Sequence, residues 1–197
     1  MAITNGYATL AEVKARLGIN DSNEDSVIEA TIEAASRLID QATGRVFYAT
    51  TATRYFTAAD PDLLFLPDDL LSVTTLKTDE DGDRTYEITW AATDYDLEPY
   101  NATPYTRIQV APRGTRTFPP TRRGVEIVGS WGYNATGSYP DMVNEACLIL
   151  AARYYKRKDS PFGTTGTAEY GIMRLSKTDP DVAGLLRGFV RPGIGVA

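Results

Sequence analysis

The tract Asp79-Glu80-Asp81-Gly82-Asp83 gathers the side chains best suited to chemistry in this chain of 197 residues. Closely spaced carboxylates ligate hard cations such as calcium. A twelve-residue calcium loop also needs glycine at its sixth position and a bidentate Glu at its twelfth. Counted from Asp79, Gly82 is fourth and Trp90 is twelfth. The tract therefore predicts an exposed hairpin turn, with Asp81-Gly82 between β-prone runs at 76–78 and 86–88, and no metal site. Asp94, Asp96 and Glu98, or Asp68 and Asp69, offer the paired carboxylates that glycoside hydrolysis uses. Nothing around them marks a buried acid with a raised pKa. Gly163-Thr164-Thr165-Gly166 lacks the Gly-Lys-Ser/Thr that would make it a phosphate loop.

The chain contains no histidine, which removes Ser-His-Asp and Cys-His catalysis, histidine metal sites and histidine pH switches together. Its one cysteine, Cys147, excludes an intrachain disulfide framework and lies in an apolar helical stripe, where it reads as a small buried hydrophobe. No catalytic residue and no cofactor is expected, and the balance moves toward binding or structure. No apolar run approaches the ~20 residues of a membrane span, and the first residues lack the pattern of a signal peptide. A soluble, intracellularly made protein with no membrane partner is expected.

Net charge is −6, unevenly spread. Residues 1–99 hold 7 basic and 19 acidic residues, and residues 100–197 hold 13 and 7. Such asymmetry suggests two surfaces meeting two environments, and the overall acidity argues against tight sequence-independent binding of nucleic acid. The sharpest cationic group is Arg153, Lys156, Arg157 and Lys158, interleaved with Tyr154 and Tyr155. It has two readings: complementation of a helix dipole by solvated cations, or a patch that meets acidic protein or DNA phosphate.

The elements that must position these groups are legible from capping and periodicity. Thr9-Leu10-Ala11-Glu12 is a capping box opening a short helix that Gly18 stops. A longer helix follows, capped by Ser22 or Asn23, with Ile28, Ile32, Ala35, Ile39 and Ala42 on its apolar face and Thr43-Gly44 as its end. From 50 to about 131 the chain is β-rich, with candidate strands at 53–57, 63–66, 73–78, 86–90, 95–97, 107–110 and 125–130. Pro140 then sits in the first turn of a helix faced by Val143, Ala146, Cys147, Leu150, Ala151 and Tyr154. Met142, Ile149 and Tyr155 lie off that stripe, so the helix is either central to a core or touches another subunit. A glycine-bearing loop over 159–178 follows, expected to be flexible. Then comes a short helix with Asp179 as cap, Pro180 first, and Val182, Leu185, Leu186 and Phe189 apolar. A tail begins at Arg191.

The ordered set TLAEVKARLGI, DSVIEATIEAASRLIDQATGR, VEIVGSWGY, PDMVNEACLILAARYYKRKDSPFG and DPDVAGLLRGFVR resembles the head-tail connector (adaptor) proteins of long-tailed bacteriophages, over roughly residues 8–48 and 125–191. The expected fold is α+β: a small α-helical bundle core with a β-rich insertion and an extended C-terminal arm. The segments are 1–49 (N-terminal helices), 50–124 (insertion), 125–158 (return strand and long helix) and 159–197 (arm).

The resemblance implies a virion neck protein. A ring of about twelve copies would join the capsid portal to the next neck or tail-completion protein, with genomic DNA passing through without specific binding. It implies a portal-binding arm, carried here by Arg153, Lys156, Arg157, Lys158, Phe162, Leu185, Leu186, Phe189 and Arg191. Met142, Ile149 and Tyr155 would make ring contacts, and Asp79, Glu80, Asp81 and Asp83 would face the lumen or the tail. The alternative from another class is a carbohydrate-binding or carbohydrate-active β-rich module using Trp90, Tyr95, Tyr100 and Tyr105 as stacking platforms, against which stands ordinary sheet packing of the same aromatics. A generic regulatory binding domain with a disordered arm is the third reading.

Overall fold

The computed structural model describes residues 3–135, 138–158 and 179–191, together with the backbone of 164–165 and 173–174. The chain divides into a helical unit, residues 1–45 with 139–197, and a β unit, residues 46–138.

In the helical unit, α1 (Leu10–Leu17) begins at the predicted capping box. Thr9 Oγ1 accepts from the Glu12 amide, Glu12 Oε2 accepts from the Thr9 amide at 2.7 Å, and Gly18 ends the helix at φ +72°. α2 (Asp25–Thr43) buries Ile28, Ile32, Ala35, Ser36, Ile39 and Thr43 on one stripe. Its N-cap is Glu24, without a side-chain cap bond, rather than the expected Ser22 or Asn23. α3 (Asp141–Arg157) starts one residue after Pro140 and buries Val143, Ala146, Cys147, Leu150 and Ala151.

α2 and α3 form the principal helix contact, with α1 packed on both and α4 (Pro180–Leu186) packed on α3 and α2. Small residues govern the α2–α3 contact. Ser36 Oγ lies 3.5 Å from Cys147 Sγ, donates to Ile32 O and accepts the buried Tyr7 amide at 3.0 Å. Each fully buried isoleucine of α2 contributes about 1.5–3 kcal/mol over an exposed one. Burial pushes the Cys147 thiol up to about 11, so it behaves as a hydrophobe, as its place in the apolar stripe predicted.

The β unit is a six-stranded antiparallel sheet of β1 (Thr50–Phe56), β2 (Leu63–Thr78), β3 (Ile88–Thr89), β4 (Tyr95–Glu98), β5 (Tyr105–Val110) and β6 (Val125–Trp131). The order is β1-β6-β2-β5-β4, with β3 paired to the end of β2. The two runs expected at 63–66 and 73–78 are one strand. Register shifts between Phe65 and Leu70, Leu70 and Ser72, and Val73 and Thr75 carry β2 past Pro67, which cannot donate to a ladder.

Leu64, Leu66, Leu70 and Leu76 of β2 therefore meet Ile108, Ile127, Trp131, Trp90 and Phe118 in one buried cluster. β6 lies between β1 and β2 inside the sheet. The expected boundary at 124/125 thus falls instead at 138/139, because the alternate burial of Val125, Ile127, Gly129 and Trp131 belongs to the sheet core. Of the expected loop at 159–178, Thr164–Thr165 and Met173–Arg174 pair as a two-residue antiparallel ladder (β7 and β8). The rest of that loop lies outside the described residues.

Gly132 follows β6 at φ +142°, and a Cβ there would stand 2.1 Å from Tyr48 O. Gly132→Ala is expected to cost more than the ~1 kcal/mol of an ordinary glycine effect, since backbone strain and a steric clash add. A fall in the urea midpoint with unchanged slope checks this, and an unchanged midpoint would contradict the clash.

Candidate assembly interface

The C-terminal end of α3 carries the cationic group. Lys156 and Arg157 are exposed and make no ion pair among the described residues. The other two cations of the group have structural partners. Arg153 is half-buried, with Nη1 3.5 Å from Asp179 Oδ2, the residue that caps α4. Lys158 bonds to Glu24, sits 4.5 Å over the Tyr155 ring, and shares Glu24 with the Tyr155 hydroxyl. Hydrogen bonds from Lys158 and then Tyr155 hold the Glu24 carboxyl below the usual range, and Glu24 in turn pushes the Tyr155 hydroxyl up. This trio fastens the start of α2 to the end of α3. Tyr155 is thereby half-buried and engaged within its own chain, Ile149 is half-buried, and Met142 is 56% exposed.

Residues 179–191 are not extended. α4 folds back on α3 and α2, burying Val182 and Leu186. The 3-10 turn Arg187–Phe189 is held by Arg45 Nε donating to Phe189 O at 2.7 Å, and the Arg191 amide donates to Thr43 O at 2.9 Å. The apolar face predicted for this helix is therefore spent on its own chain at Leu186, while Leu185 and Phe189 stay half-buried. Phe162 and the tail beyond Arg191 lie outside the described residues. Between α2, α3 and α4 a cleft of about 330 Å³ remains, lined by Leu38, Ala42, Leu150, Tyr154, Val182 and Val190, with Arg157 among its residues. Sequence periodicity assigned most of these residues to separate helix faces. It gave no sign that three helices leave a gap there.

The acidic tract lies in a nine-residue loop joining β2 to β3, which pair antiparallel, so the expected hairpin forms around Asp81-Gly82. Asp79 is 1% exposed, and this contradicts its expected place among lumen-facing acids. Its Oδ1 accepts the Gly82 amide at 2.7 Å and its Oδ2 the Arg84 amide at 2.9 Å, while Thr121 Oγ1 donates to its carbonyl. Desolvation pushes its carboxyl up, but the Gly82 and Arg84 amides outweigh that and hold it below the usual range. Carboxylate oxygens of Asp79, Asp81 and Asp83 gather within 4.8 Å of one another. Asp81 Oδ1 takes the Asp83 amide and Asp83 Oδ1 the Thr85 amide, so the cluster organises its own loop. Glu80, Asp81 and Asp83 are exposed.

The stacking platform expected of a glycan module does not form. Trp90 is 4% exposed, stacked on Phe118 at 4.8 Å and bonded through Nε1 to Thr78 Oγ1. Tyr95 and Tyr105 pack against the sheet core, and Tyr100, 63% exposed, stands without them. Ordinary sheet packing of these aromatics is what the fold contains.

Folding also redistributes the charge. The β unit holds 8 basic and 13 acidic residues and the helical unit 12 and 13, so their balances are −5 and −1. The contrast between sequence halves does not survive as an acidic body and a basic arm, because the acidic α2 joins the basic α3.

The sequence profile of the phage gp6-like head-tail connector proteins matches residues 7–76, which span α1, α2, β1 and nearly all of β2. Over these residues the chain is similar to the head-tail connectors. The match runs past the expected limit at 48 into the sheet, so the resemblance includes strands that the sequence reading assigned to an insertion.

Three solved structures share the fold. One is the neck of an empty gene transfer agent (GTA) particle computed with C6 symmetry, at 19% identity and TM-score 0.63. Another is the neck of the native particle with C12 symmetry, at 20% and 0.62. The third is the virion of the native particle, at 21% and 0.64. Each match covers 100% of this chain and 96% of the other. No curated protein gives a significant match. The fold, sheet included, is thus common to this chain and these chains of the GTA particle.

Because the Asp79 carboxyl is held low in the folded state, its contribution to stability is present above the ordinary aspartate value of about 4 and is lost as pH falls through the lowered folded value. Asp79→Asn is expected to lower the thermal midpoint at pH 7 and to flatten its decline at acid pH. Parallel midpoint curves for the two proteins between pH 7 and pH 2 would refute the role of the charge.

Proposed function

We propose that this chain is a structural component of a phage-like virion neck and not an enzyme. Copies of it form a ring, of about twelve subunits, that joins the capsid portal to the next neck or tail protein and extends the DNA channel. The observation that carries this reading is the agreement of fold over the whole chain with neck chains of a particle solved in C6 and C12 symmetry. The family match over the N-terminal segment supports it. In this reading the four helices are the connector core and the sheet is carried between its two halves.

Lys156 and Arg157, exposed at the end of α3 beside α4, are the cations available to an acidic portal surface, with Leu185, Phe189 and Arg191 nearby in the chain. Glu80, Asp81 and Asp83 supply negative charge for a lumen that repels phosphate and lets DNA slide. Met142 is the ring contact that remains accessible among the three α3 residues off its buried stripe.

A mass measurement of the protein alone and mixed with portal rings tests the reading. A large assembly containing both is expected, and a monomer throughout would sink it. The double variant Lys156→Glu with Arg157→Glu is expected to weaken portal binding at least tenfold at low salt, and less at high salt. Its thermal midpoint should stay within about 0.5 kcal/mol equivalent of the parent, as expected for exposed positions. Unchanged binding would remove the cations from the portal contact.

A further inference from the structure

The sheet of the β unit has two open and unlike edges. β1 pairs with β6 at all seven positions from Thr50↔Trp131 to Phe56↔Val125 without a register shift, and among the described residues no strand pairs with its other side. Natural edges are protected by proline, charged side chains, bulges or shortness. β1, Thr-Thr-Ala-Thr-Arg-Tyr-Phe, has no proline and no bulge and is mostly exposed, and its one charge, Arg54, is engaged by Asp68 and the Trp131 ring. At the far end β4 pairs only with β5.

Every step along the order β1-β6-β2-β5-β4 is antiparallel, so β1 and β4 run in the same direction. A ring requires two different complementary surfaces on each copy, whereas a surface that meets its own kind closes a dimer. Two unlike edges of one sheet meet that requirement.

The side chains at these edges are complementary. Phe56 and Leu97 turn into the core, so Thr51, Thr53 and Tyr55 of β1 and Asp96 and Glu98 of β4 share the opposite face. Arg123, exposed, places its guanidinium 4.5 Å over the Tyr55 ring at the β1 edge. The β4 edge carries Asp96, while Glu98 is paired with Arg107 of its own chain at 2.9 Å, and exposed Tyr100 follows it.

We propose that copies of this chain join head to tail by sheet extension. The β1 edge of one copy pairs in parallel with the β4 edge of the next, Arg123 meets Asp96, and Tyr100 covers Tyr55. Backbone hydrogen bonds supply the attachment and the charges set its sense. β4 offers only four residues, and parallel pairing is slightly weaker per residue than antiparallel. The junction is therefore weak singly and firm once a ring closes. The proposal rests on the ring reading above and adds the surface that makes it.

The full-length double variant Thr53→Cys with Asp96→Cys, treated with a short bismaleimide alone and with portal rings, tests it. Cys147 is buried and its thiol is pushed up to about 11, so it stays silent. A ladder extending beyond dimer is expected for the double variant, and monomer for each single variant. Dimers from Thr53→Cys alone would mean that β1 pairs with itself and overturn the proposal. Portal binding or large assemblies in the mass measurement without a ladder would overturn the edge pairing and leave the ring reading standing. Neither assembly nor ladder sinks both. Asp96→Lys is expected to reduce assembly several-fold, and adding Arg123→Glu to restore it. No restoration would remove the charge pairing from the junction.

Discussion

The helical unit depends on the close approach of α2 and α3. These helices come from opposite ends of the chain, and Ser36 of one meets Cys147 of the other, with Ala35 and Ala146 fully buried beside them in sequence. A larger group at Ser36 or Cys147 would separate the backbones and leave Ile28, Ile32 and Ile39 without the surface that buries them. The Ser36 hydroxyl does a second job, because it receives the amide of buried Tyr7 and so ties the segment before α1 to the same contact. Asn144 Nδ2 donates to Tyr7 O from the other side, so three stretches of chain are fixed at one point.

Once α2 and α3 are paired, the end of α3 has limited freedom. Glu24, Tyr155 and Lys158 close one side, and Arg153 with the α4 cap Asp179 closes the other. Two of the four cations are used in this way and two are left to solvent. The same helix thus supplies both fold and surface, and the division is set by which cations find carboxylates on neighbouring helices. In the β unit the equivalent role belongs to β2. Its register shifts let one strand line two parts of the core, and they leave β1 and β4 as the two ends of the sheet.

The proposed connector role needs no reactive group, and the sequence contains no histidine. What it needs are surfaces of fixed charge and shape that repeat around an axis. A rigid sheet with distinct edges and a helical unit with an exposed cationic end are such surfaces. The redistribution of charge on folding matters here. The exposed charge follows α3 and the β2–β3 loop, not the two halves of the sequence.

Local structure was legible from the sequence wherever one or two neighbouring residues decide it. The Thr9–Glu12 box, the glycine stops at Gly18 and Gly44, the Asp179 cap with Pro180, and the helical stripes of α2 and α3 are all short-range events that the chain specifies by itself. The ordered set of these elements was enough to point to the connector family. Tertiary structure alone decided what depends on residues far apart. It put β6 between β1 and β2, buried Asp79 under its own loop amides, stacked Trp90 on Phe118, and folded α4 onto α3. The reason is physical. Periodicity says which face of an element is apolar, but the partner that covers it, and the side chains that remain for other molecules, are set by packing between segments that the sequence order keeps apart.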